Sequence, residues 1–426
     1  MKLMRTLTHM LRARSVAPLV ALSILIMGGS VHTTATTCAA QVTPTMASIM
    51  LCNQWTDAAL TPSQHELMER ALAAASAMPV DPHIKDRSRA QEAVVATYLR
   101  LKQPQRALAA IQTIDNWRRG AAYADFAGYL AEHHPRVDIT HYLDQASAIA
   151  DSVEDWRRDL IRVKIGKVYA WHGQSDKAAA SEAGVVDAEA GKLHAVAARR
   201  MDVDQFDALM TALAAIVATK NFDQIRNVAD AYVELFAGSY ADDSRRTTVE
   251  RAFRAAWPTM PAALRVYWTV QLVDAALAHD DLAKAVELLH EAELILGEGR
   301  WPAESAVPTL GVLAERWAQA GEREHANTLI AAARARFEAE EATIINIDRA
   351  SALRPVAEAL HTMGDTEACL ALYASVLEVG VVNPNSRPRA EDLVATCCSM
   401  ALHGVTPDEP IANRIRQIQQ GLASPW

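Results

Sequence analysis

Acidic doublets, paired histidines and a recurring arginine are the features of this 426-residue chain that could do chemistry. Asp242-Asp243 and Asp280-Asp281 offer neighbouring carboxylates, the equipment of a glycosidase acid–base pair. Both doublets stand at turns or where a helical pattern begins, and an Asp there caps the free amides of the first turn. His133-His134 offers two imidazoles, but adjacent side chains diverge and no third ligand is evident. His65-Glu66 lacks the second His of a His-Glu-x-x-His zinc helix, and Gly297-Glu298-Gly299-Arg300 lacks the lysine of a phosphate-binding loop. No Gly-x-Ser-x-Gly elbow occurs. The pattern predicts no catalytic residue, no bound metal and no cofactor.

The elements that carry these residues are helices. Half of the chain is hydrophobic but only 6% is aromatic, so alanine supplies much of the apolar content, and alanine favours helix. From about Pro62 apolar residues recur at three- and four-residue spacing, with short turns marked by Gly, Pro, Asp or Asn. Segments 88–101 with 104–116, and 308–320 with 322–339, read as antiparallel hairpins. Asp115-Asn116-Trp117-Arg118-Arg119 resembles Glu154-Asp155-Trp156-Arg157-Arg158, which marks an internal repeat.

Three columns align along the chain. A mostly small one runs Val95, Ala127, Gly166, Leu213, Val273, Ala314, Ala357, Cys397. A larger one follows three residues later at Tyr98, Leu130, Tyr169, Ile216, Ala276, Trp317, Leu360, Met400. A second small one opens the next helix at Ala107, Ile139, Ala178, Ile225, Ala285, Ala326, Cys369. Two helices joined by a tight turn approach closely only where side chains are small, and a larger residue then fills the hole at the next turn.

This spacing resembles the tetratricopeptide repeat. Gly166, Tyr169, Gly173 and Ala178 match its pattern, as do Ala314, Trp317, Gly321 and Ala326, and Ala357 with Gly364-Asp365. Ala71, Ala74 and Pro79 look like the second helix and closing proline of a capping hairpin. The resemblance covers roughly residues 62–422 and implies a right-handed superhelical α-solenoid of about eight hairpins. The mean spacing here exceeds the 34 residues of the family. The step from Leu213 to Val273 suggests an extra helix near 244–256, and HEAT-like stacking is an alternative.

Eight residues before the small anchor stand Arg87, Arg119, Arg158, Gln205, Arg265, Ala306, Arg349 and Arg389. The start of a helix favours acids, so a recurring Arg there gains something elsewhere. It either staples each repeat to the carbonyls or carboxylates of the one before, or forms a basic stripe for an acidic ligand.

The N-terminus reads as an export signal. Lys2, Arg5, Arg12 and Arg14 precede an apolar run over 16–27 and a small, polar stretch to Ala40. An uncleaved membrane anchor is the alternative, and a lipid-modified Cys38 a further one. Residues 41–61 read as a linker or loose first segment, and 423–426 as a frayed tail. The net charge is −9, and −13 without the four bases of the leader, which argues against non-specific nucleic-acid binding. Cys52, Cys369, Cys397 and Cys398 allow three disulfide connectivities, although the last three sit in helical patterns where Cys packs as a small apolar residue.

Two functions compete. An exported, non-enzymatic scaffold for a protein or peptide would use a concave face, with Arg100, Lys167 and Gln271 as candidate groove residues. A secreted α/α-toroid enzyme acting on a polysaccharide or other polymer would close into a ring and bring its ends together. A cytosolic regulator with a misread leader is a third reading.

Overall fold

A computed structural model describes residues 55–197 and 201–426. The proposed signal peptide, Cys38 and Cys52 lie outside the described residues. Among the described residues nineteen α-helices account for most of the chain and no strand occurs. They are α1 (Pro62–Ala77), α2 (Val80–Arg100), α3 (Pro104–Ile111), α4 (Arg118–His133), α5 (Thr140–Asp151), α6 (Asp155–Trp171), α7 (Ser175–Glu182), α8 (Asp187–Ala197), α9 (Val203–Ala218), α10 (Phe222–Gly238), α11 (Asp243–Ala256), α12 (Ala262–Ala278), α13 (Leu282–Gly297), α14 (Ala303–Gln319), α15 (Arg323–Glu340), α16 (Asn346–Thr362), α17 (Thr366–Gly380), α18 (Ser386–His403) and α19 (Glu409–Gln420). No described helix is long and apolar enough to cross a membrane.

Local signals set the boundaries. Thr61 with Gln64, and Asp202 with Gln205, form reciprocal capping boxes, and Asp242, Asp281, Asp365 and Asp408 accept amides of the turns they open. Both acidic doublets thus have a capping Asp. Six even-numbered helices end in a residue of left-handed conformation: Lys102, Gly173, Asp280, Gly321, Gly364 and Gly404. The next amide in each case donates back to Tyr98, Tyr169, Ala276, Trp317, Leu360 or Met400. Those acceptors belong to the larger column, so its period is also the period of the turns. Gly173, Gly321 and Gly364 have φ of 71°, 92° and 76°, where a Cβ is disfavoured.

Even-numbered helices pack on one another in order from α2 to α18, each also holding the odd helix that follows it. The small columns lie in these seams. Ala107, Ala127, Ala285, Ala314, Ala326 and Ala357 are wholly buried, and Tyr98, Ala178 and Trp317 nearly so. Gly166 is buried and Tyr169 half-buried. Around α9 the expected register fails. Leu213 lies on the odd helix α9, and Ile225 on α10, which packs on α8 and α12. The unforeseen helix α8 shifts the parity by one. The helix at 243–256 therefore interrupts nothing and serves as the partner of α10.

The succession does not end openly. Helix α18 packs against α2 as any even neighbour does, and against α1 as extensively as the sequential hairpin partners pack. Helix α1 is the second helix of the last pair, supplied from the opposite end of the chain; its Ala71 and Ala74 are fully buried. Gln64 Nε2 donates to the Ala401 carbonyl at 2.9 Å and Arg70 to Gln419 Oε1 at 2.9 Å. Glu66 faces Arg416 at 3.6 Å. A superhelix with separated ends is therefore replaced by a closed ring.

Both flanking segments are pinned rather than loose. Trp55 is buried against Phe126 and Tyr142, Gln105 donates to the Trp55 carbonyl and Gln103 to that of Ala58. At the other end the Ser386 amide donates to the Pro425 carbonyl at 2.8 Å, and the Ala423 amide to Ser386 Oγ at 3.0 Å. The expected linker (from residue 55 on) and frayed tail are corrected accordingly: polar backbone finds partners at the α2–α3 turn and α3 at one end and at the start of α18 at the other.

Cysteines placed at Glu66 and Arg416 should join through a short bifunctional maleimide within one chain. In an open array they would stand roughly 80 Å apart, from eight even-to-even steps of about 10 Å each. Absence of the linked peptide in a tryptic digest would mean that the ring is open.

Candidate functional site at the mouth of the ring

Because odd helices return the chain, the even helices end on a common face. One turn inside that face, α12, α14, α16 and α18 bring charged side chains together. Arg316 donates through Nε to Asp274 Oδ1 at 3.0 Å and through Nη1 to Glu315 Oε2. His403 Nε2 lies 3.1 Å from Glu315 Oε1, and its Nδ1 lies 2.9 Å from the Ser399 carbonyl. Ser399 Oγ donates to Glu358 Oε1 at 2.5 Å and meets the buried Tyr373 hydroxyl at 2.7 Å. His361 stands beside His403, ring centres 6.1 Å apart.

The backbone explains why these groups meet. Gly311 of α14 lies so close to α16 that a Cβ would stand 2.7 Å from the Pro355 carbonyl carbon and the Val356 amide. One turn further on, Glu315 and Glu358 emerge from this crossing. Glu315 is buried; Asp274, Arg316, Glu358 and His403 are half-buried.

The electrostatics are those of opposite charges packed together in partly buried surroundings. Arg100, at the end of α2, stays exposed, yet desolvation by surrounding protein draws its pKa down while Glu358 and Glu315 act to raise it. Burial alone would raise the Glu315 carboxyl, but Arg316 and His403 outweigh it and hold it at about 2. Burial would lower His403, but its bond to Glu315 and the nearby Glu358 carry it up to about 9. Asp274 is raised, because burial exceeds the help from Arg316. His361 is lowered by burial and then by His403.

Of the three groove candidates, Arg100 belongs to this site. Gln271 is half-buried one turn before Asp274. Lys167 sits elsewhere, paired with Glu234 of α10; beside it Lys192 and Trp268 Nε1 converge on Asp230. Asp274, Glu315, Glu358 and His403 were not singled out from sequence. A signal existed: Lys167, Asp274, Glu315 and Glu358 each follow a small-column anchor by one residue.

Most arginines of the column bond groups close to them. Arg87 Nη1 donates to the Ser76 and Met78 carbonyls that end α1. Arg349 bonds the Ile344 carbonyl, Arg265 reaches Glu298, Arg389 donates to Ser386 Oγ and Arg158 to the neighbouring Asp159. Arg119 is half-buried beside Trp117. Trp117 and Trp156 meet edge to face at 5.2 Å, and Trp156 keeps 59% of its surface exposed. Cys369, Cys397 and Cys398 are buried thiols without a disulfide, each pushed up in pKa by burial.

No protein-family model matches the chain, and no curated protein matches it.

Arg87→Ala removes two bonds to buried-end carbonyls and should cost about 1–3 kcal/mol, read as a lowered Tm. Arg119→Ala should stay within about 0.5 kcal/mol of the parent. Equal effects would mean that the column is not a set of staples. His403 carries a pKa raised above the ordinary 6.5, so its stabilisation is complete below that value and is lost as pH rises through about 9. Chemical denaturation between pH 6.5 and 9.5 should show this decline in the parent and a flatter profile in His403→Gln.

Proposed function

We propose that the protein is an exported, non-enzymatic binding module of tetratricopeptide-like hairpins, whose protein or peptide partner docks at the charged mouth of the ring. The observation that carries this reading is the gathering of charge at the ends of the even helices: Asp274, Glu315 and Glu358 are each held by a donor from the protein, and the exposed Arg100 of α2 lies within electrostatic reach of Glu315 and Glu358. A cluster of charges with an exposed member suits recognition and steering of a partner. Small residues in the seams and short turns suit a rigid platform. The export reading rests on the sequence of residues 1–40.

Closure of the ring and the approach of Glu315 to Glu358 favour a second reading, the α/α-toroid enzyme acting on a polymer. Against it stand the short connections, which among the described residues leave no long acid- and aromatic-bearing loops at the mouth, and the pairing of both carboxylates.

Tagged full-length protein, recovered from an envelope extract of its host after mild cross-linking, should bring down one stoichiometric partner. Arg100→Glu should reduce that recovery by at least about tenfold, as loss of a central charged contact does, with Tm unchanged. Equal recovery by both proteins, or by neither, would refute docking at the mouth.

A further inference from the structure

We propose that Glu315, Glu358 and His403 form a binding site for a divalent transition-metal cation of the zinc class. The three side chains come from successive even helices, α14, α16 and α18, and each offers a ligand atom within 4.8 Å of the other two. The site needs no docked partner, and so stands apart from the binding-module reading.

Geometry is the first argument. Two ligands at about 2.05 Å from a tetrahedral zinc lie about 3.3 Å from each other. His403 Nε2 and Glu315 Oε1 are 3.1 Å apart. The imidazole and one carboxylate thus already stand at the separation of two zinc ligands, and Glu358 offers an oxygen within 4.8 Å of both.

Orientation is the second. A metal-binding histidine commonly donates its other ring N–H to a carbonyl, which fixes its tautomer and ring plane. His403 Nδ1 has such a partner in the Ser399 carbonyl. With a proton on Nδ1, Nε2 faces the Glu315 oxygen, and the pair is favourable only with a second proton or a cation between them. Ser399 Oγ holds Glu358 and is itself held by Tyr373. Arg316 occupies Glu315 Oε2, leaving Oε1 toward His403; Gln319 Nε2 approaches that oxygen at 3.4 Å. Each ligand therefore has an outer group that aims it.

The donor set selects the metal class. Two carboxylate oxygens with one imidazole suit zinc or manganese and lack the thiolates that favour copper(I). Three protein ligands leave a fourth position for water, and half-buried His403 keeps the site in reach of solvent. Asp274 is committed to Arg316 and stays outside the set.

The test uses purified full-length chain, stripped by a chelator and titrated with Zn²⁺ against a chromophoric competitor. One equivalent should bind. Glu358→Gln and His403→Gln should each weaken it by at least tenfold, and Ser399→Ala, which keeps all three ligands, by about 10- to 100-fold. Co²⁺ in the same protein should give the visible absorption of a four-coordinate site, lost in Glu358→Gln. Ser399→Ala keeps the test decisive should a ligand variant fail to fold. No stoichiometric zinc, or zinc bound equally by the parent, Glu358→Gln and Ser399→Ala, would overturn the assignment.

Discussion

The packing of α1 onto α18 is the constraint on which the rest of this molecule depends. Each hairpin here buries its apolar face only because a neighbour covers it. In an open stack the terminal helices need a polar outer face. Helix α18 has none to spare: Ala390, Leu393, Val394, Cys397, Met400 and Ala401 are all buried. Helix α1 supplies the cover, and the Gln64, Glu66 and Arg70 contacts fix its register. Once the ends are joined, the curvature of the whole array is set.

That curvature turns one turn of each even helix toward a shared mouth. On an open stack, the residues after each small-column anchor would form a row along a groove. In the ring, Asp274, Glu315 and Glu358 face a common space with Arg100 and His403. Low-dielectric surroundings make every pairing among them matter more, so Arg316 between two carboxylates, His403 beside Glu315 and Ser399 on Glu358 hold α12, α14, α16 and α18 together while giving the mouth its chemistry.

The helical class and the seam residues were legible because they are local: period, alanine content and turn glycines determine them. Trp317, Gly321 and Ala326 are read from one hairpin's sequence alone. The break at α8 was not legible. Its segment, Asp187–Ala197, is alanine-rich without a strong apolar stripe, so no column passes through it. Closure was half legible: Ala71 and Ala74 identify a second helix, but nothing nearby in sequence names α18 as its partner. The mouth depends on groups about 40 residues apart, Asp274, Glu315 and Glu358, which gather only after the fold forms. His403 lies off that register altogether, at the last residue of α18.

A stack with free ends can grow or shrink by a hairpin and remain a stack. This molecule has surrendered that freedom. Deleting one pair of helices would leave α18 short of α1, and adding one would carry it past. Gene duplication within the array is therefore barred unless the twist between neighbouring pairs changes as well. The same joint makes the position of the chain ends arbitrary: a permuted protein, cut at an exposed turn such as that near Glu298 and joined from 426 to 55 by a linker long enough to run the length of α18, would have the same helices in the same places.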